Sequence, residues 1–376
     1  MTIFNSAFGR VRRALFLLSF CASASLLSSE VVANNYETRL LEAARLATEG
    51  QSREAVNALD QLLVDYPQSR VGHSLRAELL FRLTGRSLSA TTEKSPSIQQ
   101  ALKPLNEELG LRWRHVNKAL AEVEMALPSN LLKPSVKSPF AIYVDLPAAR
   151  LYVFDTKDPT PTALISFYVT IGREGYGKQK EGDLKTPVGV YRLTGYKPGK
   201  KLHERYGYGA LTTDYPNALD KSLKRTGYGI WIHGTEPGWE NRGPRASDGC
   251  ITLSNTDFET LVTRFPMGKD TPVIIDDAPQ WMSATTLNQL RHELESSLPL
   301  ESGEEQLEKG SDLPGVPHAW PQSPLAAFQE IYQYPASHAT LITRRLLPET
   351  GDHAIAIDEY WTQNASGTWE RMPFKP

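Results

Sequence analysis

Cysteine is all but absent from this chain: Cys21 and Cys250 are its only two among 376 residues. Cys21 falls in segment 1–33, which reads as a signal peptide. Arg10, Arg12 and Arg13 form its basic start, Ala14 to Phe20 begin an apolar stretch, and Val31-Val32-Ala33 offers small residues for cleavage. Removal of that segment leaves Cys250 alone, and a lone thiol excludes an intrachain disulfide. Net charge is also scarce: 41 Lys and Arg against 43 Asp and Glu leave −2, which excludes the basic footprint of a nucleic-acid binder. Long apolar runs are missing. The N-terminal stretch is interrupted by serines and falls short of the roughly 20 apolar residues of a membrane span. No membrane span is expected after cleavage, and the chain is expected outside the cytoplasm. His203-Glu204 has no second histidine at helical spacing, and His233, Asp248 and Cys250 match no common zinc spacing. Lys197 to Lys201 lacks the glycine pattern of a phosphate loop. No metal and no cofactor is therefore expected.

The rest of the composition, 40% hydrophobic and 22% charged, is that of a globular protein. Residues 34–126 read as helical. Leu40, Leu41, Ala44 and Ala47, then Ala55, Leu59, Leu62 and Leu63, recur at helical spacing around Gly50, and Tyr66-Pro67 ends the second helix. This pattern resembles a tetratricopeptide-type hairpin and the start of another; a stack so short must lean on something else, either its own chain or a protein partner. A further helix is expected from Ser97 to about Ala126, and the prolines of 127–138 read as a linker. Over 139–276 the period changes to short β-rich runs: a hairpin from Phe140–Asp145 and Arg150–Phe154, then runs at 164–171, 189–194, 229–233, 250–253 and 273–275. Their number and their Gly/Pro turns predict a mostly-β sandwich or barrel. Ser254 and Asp257 form a capping-box pattern ahead of Phe258 and Leu261, placing a helix just after Cys250. Segment 277–312 reads as a helix from Ser283 and a polar linker. Segment 313–376 reads as a small α+β extension with a helix at Leu325 to Tyr332 and no interpretable motif.

Chemistry concentrates around Cys250. A thiol of ordinary pKa near 8.5 is only about 3% ionised at pH 7, so a nucleophilic cysteine needs help. His233, in Trp231-Ile232-His233-Gly234-Thr235, is the candidate base. Its spacing from Cys250 excludes one helix face and fits two adjacent strands joined by the Gly/Pro-rich loop 236–245. Gly249 clears space beside the sulfur for a carbonyl substrate, and the Gly249 and Cys250 amides are placed to receive an oxyanion. Gly234 offers its backbone to orient the imidazole without a third acidic side chain. Tyr206, Tyr208, Tyr228, Trp231 and Trp239 are expected to line or cover the cleft.

Four ordered motifs carry a family resemblance: Val169-Thr170-Ile171-Gly172, Lys185-Thr186-Pro187-Val188-Gly189, His233-Gly234-Thr235, and Ser247-Asp248-Gly249-Cys250-Ile251-Thr252-Leu253 with Asn255 and Asp257. Together they resemble the YkuD-type L,D-transpeptidase catalytic domain, and the Asp-Gly-Cys variant is similar to its YafK-like branch. The resemblance implies a periplasmic, cell-envelope enzyme acting on peptidoglycan stem peptides through a cysteine acyl-enzyme. Cys250 would be the nucleophile at the diaminopimelate L-centre, His233 the base and Gly249 an oxyanion amide. Ser247, Asp248, Gly234, Thr235, Arg245 and Trp231 would bind substrate. The acyl group would pass to an amine or to water; the alternative without chemistry is a wall-binding protein. Two positions depart from the pattern, since the family commonly has His at Asp248 and Arg at Thr252. A carboxylate about 6 Å from the sulfur would cost the thiolate roughly 2.8 kcal/mol at an effective dielectric near 20. Asp248 is therefore expected to pair with Arg242 or Arg245, or to receive the amino group of a diaminopimelate side chain.

Overall fold

The computed structural model describes residues 36–86, 95–119, 126–135, 138–158, 160–240, 242–298, 329–335, 337, 339–348 and 354–373. The signal segment 1–33 and the polar linker 301–312 lie outside the described residues. Among the described residues no helix is long and apolar enough to cross a membrane.

The helical periodicity of the N-terminal region yields α1 (Tyr36–Thr48), α2 (Ser52–Asp65), α3 (Arg70–Leu83) and α4 (Pro96–Ala119). Leu40, Ala43, Ala55, Leu59, Leu62 and Leu79 form a shared core. Gly50, at φ +81°, makes the turn between α1 and α2 that a side chain would disfavour. This short stack leans on its own chain. Glu37 of α1 accepts from Arg150 at 2.6 and 2.9 Å and from Arg112 of α4 at 3.0 Å. Burial raises a carboxyl, but those two guanidiniums outweigh it and hold Glu37 down at about 2. The Arg112 guanidinium also lies 3.9 Å from the centre of the Tyr168 ring.

The chain then turns to strands: β1 (Ala126–Pro128), β2 (Phe140–Asp145), β3 (Arg150–Asp155), β4 (Thr162–Tyr168), β5 (Ile171–Gly172), β6 (Gly189–Pro198) and β7 (Gly209–Thr213). A short helix α5 (Ala218–Ser222) precedes β8 (Trp231–His233), β9 (Arg245–Ser247) and β10 (Ile251–Thr252). Next come α6 (Asn255–Arg264), β11 (Pro272–Asp276), β12 (Trp281–Ser283) and α7 (Ala284–Ser297). Eight strands join in the order β10-β8-β7-β6-β11-β2-β3-β4, with β10/β8 and β11/β2 parallel. β2 and β11 are buried along their whole length, because both faces of the sheet are covered. Ile142, Val144, Val273 and Ile275 face a core closed by Phe258 and Leu261 of α6. The alternate residues Ala141, Tyr143 and Ile274 face a second core with Leu287 of α7.

Residues 127–132 are packed into that second core: β1 pairs with β12, and Leu127, Leu131 and Leu132 are buried. Strand β1 begins at Ala126, where the expected helix was to end, and residues 120–125 lie outside the described residues. The C-terminal strands β13 (Glu330–Gln333), β14 (Thr340–Pro348), β15 (Ala354–Gln363) and β16 (Trp369–Arg371) form one antiparallel sheet. Residues 330–332 are therefore strand, not the end of a helix. Their backbone is claimed by β14 and by Lys133, whose N–H and C=O both bond Ile331 at 2.9 Å. This sheet docks on the eight-stranded one: Arg192 of β6 meets Glu330 at 2.8 Å, and Tyr334 donates to the Val188 carbonyl at 2.8 Å.

Candidate active site

Cys250 follows a tight turn and immediately precedes β10, whose Thr252 is in register with His233 of the parallel strand β8. Side chains alternate along a strand, so Cys250 and Thr252 share a face beside His233. Gly249 adopts φ +126°, and a Cβ there would lie 2.7 Å from the Lys185 carbonyl oxygen, so both conformation and space require glycine.

One hydroxyl links three of the sequence motifs. Thr186 Oγ1 accepts from the Gly172 N–H at 2.9 Å and donates to the Gly249 carbonyl at 2.9 Å, and Thr186 is fully buried. The Gly-ended strand, the Lys-Thr-Pro run and the cysteine turn are thus one hydrogen-bonded unit. Gly172 must also lack a side chain, because a Cβ would meet the Leu184 carbonyl oxygen at 2.4 Å.

His233 is 5% exposed. Its Nδ1 lies 2.6 Å from the Gly234 carbonyl, which can only accept, so Nδ1 carries the proton. Burial pushes its pKa down to about 4, against the support of that carbonyl. The imidazole is therefore neutral near pH 7, with an unprotonated Nε2 that faces the Thr252 hydroxyl at 3.4 Å. The ring edge of Tyr206 packs against it at 5.0 Å, and Tyr206 in turn packs on Trp231 at 5.1 Å.

The thiol is not ionised at rest. Cys250 Sγ donates to the Gly229 carbonyl at 3.3 Å. Burial pushes its pKa up; the Trp231 backbone N–H opposes this, Asp248 adds to it and Lys178 opposes it. Both groups are thus neutral at rest.

The other expected site residues divide into those turned inward and those open to solvent. Ser247 is buried; its Oγ donates to the Cys250 carbonyl at 2.6 Å and accepts the Gly249 N–H at 3.1 Å, so it braces the turn. The same bond occupies the Gly249 amide in the resting site. Gly234 leaves room for Asn255, whose Oδ1 accepts from the Tyr208 and Thr235 amides at 2.9 and 3.2 Å. A Cβ on Gly234 would lie 2.3 Å from that oxygen. Thr235 is buried and its hydroxyl donates to Glu236 at 3.1 Å. Trp231 is half-buried, with the Lys197 ammonium over its ring, and Arg245 is exposed on β9. Asp248 pairs with neither Arg242 nor Arg245. Its partner is Arg173, whose backbone N–H also donates to the Ser247 carbonyl at 2.8 Å. Arg242 is taken by Glu236 at 2.5 Å.

Trp239 and Gly243 are met from the helical region: the Arg70 guanidinium lies over Trp239, and Gly243 abuts Pro104 of α4. Arg112, Thr235, Arg242, Thr252 and Asp257 line a small polar cleft whose walls include neither His233 nor Cys250. Among the described residues no group of His, Cys, Asp and Glu side chains is placed to hold a metal. Sequence reasoning passed over Arg173 and Asn255 as site residues. The signal for Arg173 was topological: β5 pairs in parallel with β9 and brings Gly172 beside Ser247.

Residues 139–275 match the family model of YkuD, the L,D-transpeptidase catalytic domain. The matched stretch runs from β2 into β11 and contains both His233 and Cys250. Among solved structures, Bd1075 of Bdellovibrio bacteriovorus is 24% identical, with a TM-score of 0.48 over 66% of this chain and 99% of that one. Pgp2 of Campylobacter jejuni, described as a helical cell shape determining protein, is 18% identical with a TM-score of 0.45 over 67% and 94%. An L,D-transpeptidase of Xylanimonas cellulosilytica is 18% identical with a TM-score of 0.26 over 37% and 60%. No curated protein matches the chain.

Proposed function

We propose that this protein is an exported cysteine acyltransferase of bacterial peptidoglycan, with Cys250 as nucleophile and His233 as general base. The observation that carries this reading is the fixed tautomer of His233. With Nδ1–H donated to the Gly234 carbonyl and the ring kept neutral, Nε2 presents its lone pair toward the cysteine strand, where the Thr252 hydroxyl meets it at a long 3.4 Å.

Rotation about its Cα–Cβ bond takes the thiol from the Gly229 carbonyl to that lone pair. The sulfur then attacks the carbonyl of the third stem residue as its proton passes to Nε2. The oxyanion that forms is received by the Cys250 amide, since the Gly249 amide is already bonded to Ser247. Collapse of the intermediate breaks the amide bond to D-alanine, whose nitrogen takes the proton from Nε2 and leaves. An acceptor amine next attacks the thioester and gives its proton to Nε2; collapse breaks the carbon–sulfur bond, and Nε2 returns that proton to the leaving sulfur.

Burial of His233 suits this order of events. A neutral imidazole is available as base at rest, and the ion pair exists only while the acyl group is being transferred. Incubation of the mature protein with sacculi rich in tetrapeptide stems tests the reading. Mass spectrometry should find new cross-links joining third residues of two stems. Tripeptide stems without cross-links would assign the acyl-enzyme to water and overturn transfer, and unchanged material would overturn both.

A further inference from the structure

Asp248 and Arg173 form the exposed charged element next to the thiol. Asp248 stands two residues before Cys250 and is paired with Arg173, the side chains being 59% and 51% exposed. Their backbones are fixed independently of the pair. Arg173 N–H bonds the Ser247 carbonyl, and the Thr186 hydroxyl bridges Gly172 and Gly249, the neighbours of Arg173 and Asp248. Opposite charges are therefore held at the mouth of the site by rigid turns, while the bond between them is of the solvent-screened kind that contributes little to stability. A ligand can replace it at small cost if it offers the guanidinium a carboxylate and the carboxylate an ammonium.

We infer that the Asp248–Arg173 pair is a specificity element for an α-amino-acid terminus, an ammonium and a carboxylate on one carbon. On binding, the ligand carboxylate takes Arg173 in bidentate fashion and its ammonium takes Asp248, so one exposed ion pair is exchanged for two. Resting on the acyl-transfer reading, this inference names the part of the substrate that the Asp248 departure recognises. The same terminus can belong to the side chain of the donor stem's third residue or to the acceptor amine. Either way the pair reads a group on the substrate distant from the bond that is cut.

Two half-reactions tell these sources apart. Release of D-alanine is followed from three tetrapeptide donors: one with a third residue ending in an α-amino acid, one with that carboxylate amidated, and one with lysine. Resolution of the acyl-enzyme is followed with a free D-amino acid and with its amide. In the wild type, loss of the carboxylate should lower kcat/KM by about ten- to a hundredfold in one arm, chiefly through KM. Arg173→Gln should bring the substrates of that arm level, Asp248→Asn should weaken the preference, and Arg173→Lys should restore part of it. Circular dichroism and thermal unfolding establish that each variant is folded. Equal use of the substrates in both arms, or a preference kept by Arg173→Gln, would overturn the inference. Failure of the acyl-transfer reading shows differently, as the absence of any carbapenem adduct on wild-type Cys250.

Discussion

The two sides of Cys250 are built on opposite principles. On the His233 side the imidazole and the Thr186 hydroxyl are buried and the polar groups are settled by backbone partners: Nδ1 on the Gly234 carbonyl, the Thr186 hydroxyl between Gly172 and Gly249, Asn255 across the Tyr208 and Thr235 amides. On the Asp248 side two exposed charges face each other in water. Buried polar contacts resist change because each broken partner loses its full desolvation compensation, whereas an exposed ion pair is screened and replaceable. Machinery common to the reaction belongs on the first side, and discrimination between substrates belongs on the second.

Removing the base should break the comparison most sharply. His233→Gln is expected to lower acylation by about 10²–10⁴-fold at unchanged fold, measured as D-alanine release, whereas substitutions at Asp248 should leave the chemical step within about tenfold. Next in size is the buried hydroxyl. Thr186→Val should lower the free energy of unfolding by about 1–3 kcal/mol, because the Gly172 N–H is left without its acceptor; Thr186→Ser should recover most of it in urea titrations.

The pH dependence follows from the same contrast. His233 is held near 4 in the folded protein and returns to an ordinary value near 6.5 on unfolding. Between those values the unfolded chain binds a proton that the folded one refuses, so stability falls as pH drops from about 6.5 to 4, by at most about 3 kcal/mol. Unfolding at pH 4.5 and 7 should show this loss, and His233→Gln should lack its share of it. The resting thiol should alkylate slowly at neutral pH, because burial raises it above the ordinary thiol range. The smallest effect is expected from Asp248→Asn: less than about 1 kcal/mol in stability, with the alkylation profile of Cys250 moved to lower pH.

The buried side was also the more legible in the sequence. His233 next to Gly234, Gly249 next to Cys250, and Ser254 with Asp257 are local patterns whose contacts follow from backbone geometry; the Asp257 N–H does bond Ser254 Oγ, at 3.1 Å. Glycine at 249 was expected to clear space beside the sulfur, and the position indeed admits no Cβ, although what approaches it is the Lys185 backbone. The exposed side was not legible. Asp248 had several arginines within reach of its loop, and only the parallel pairing of β5 with β9 selects Arg173. The residues around 330 were misread for a related reason. Their apolar spacing is compatible with a helix, and the bonds that make them a strand come from Lys133 and β14, distant in sequence. Contacts set by topology leave no local periodicity to read.

The central claim is that Cys250 is the acylating group. The intact mass of the mature protein after incubation with a carbapenem tests it most directly. The wild type should gain one covalent adduct that maps to Cys250, and Cys250→Ala should gain none; an unmodified wild type, or an equal adduct on Cys250→Ala, would contradict the account.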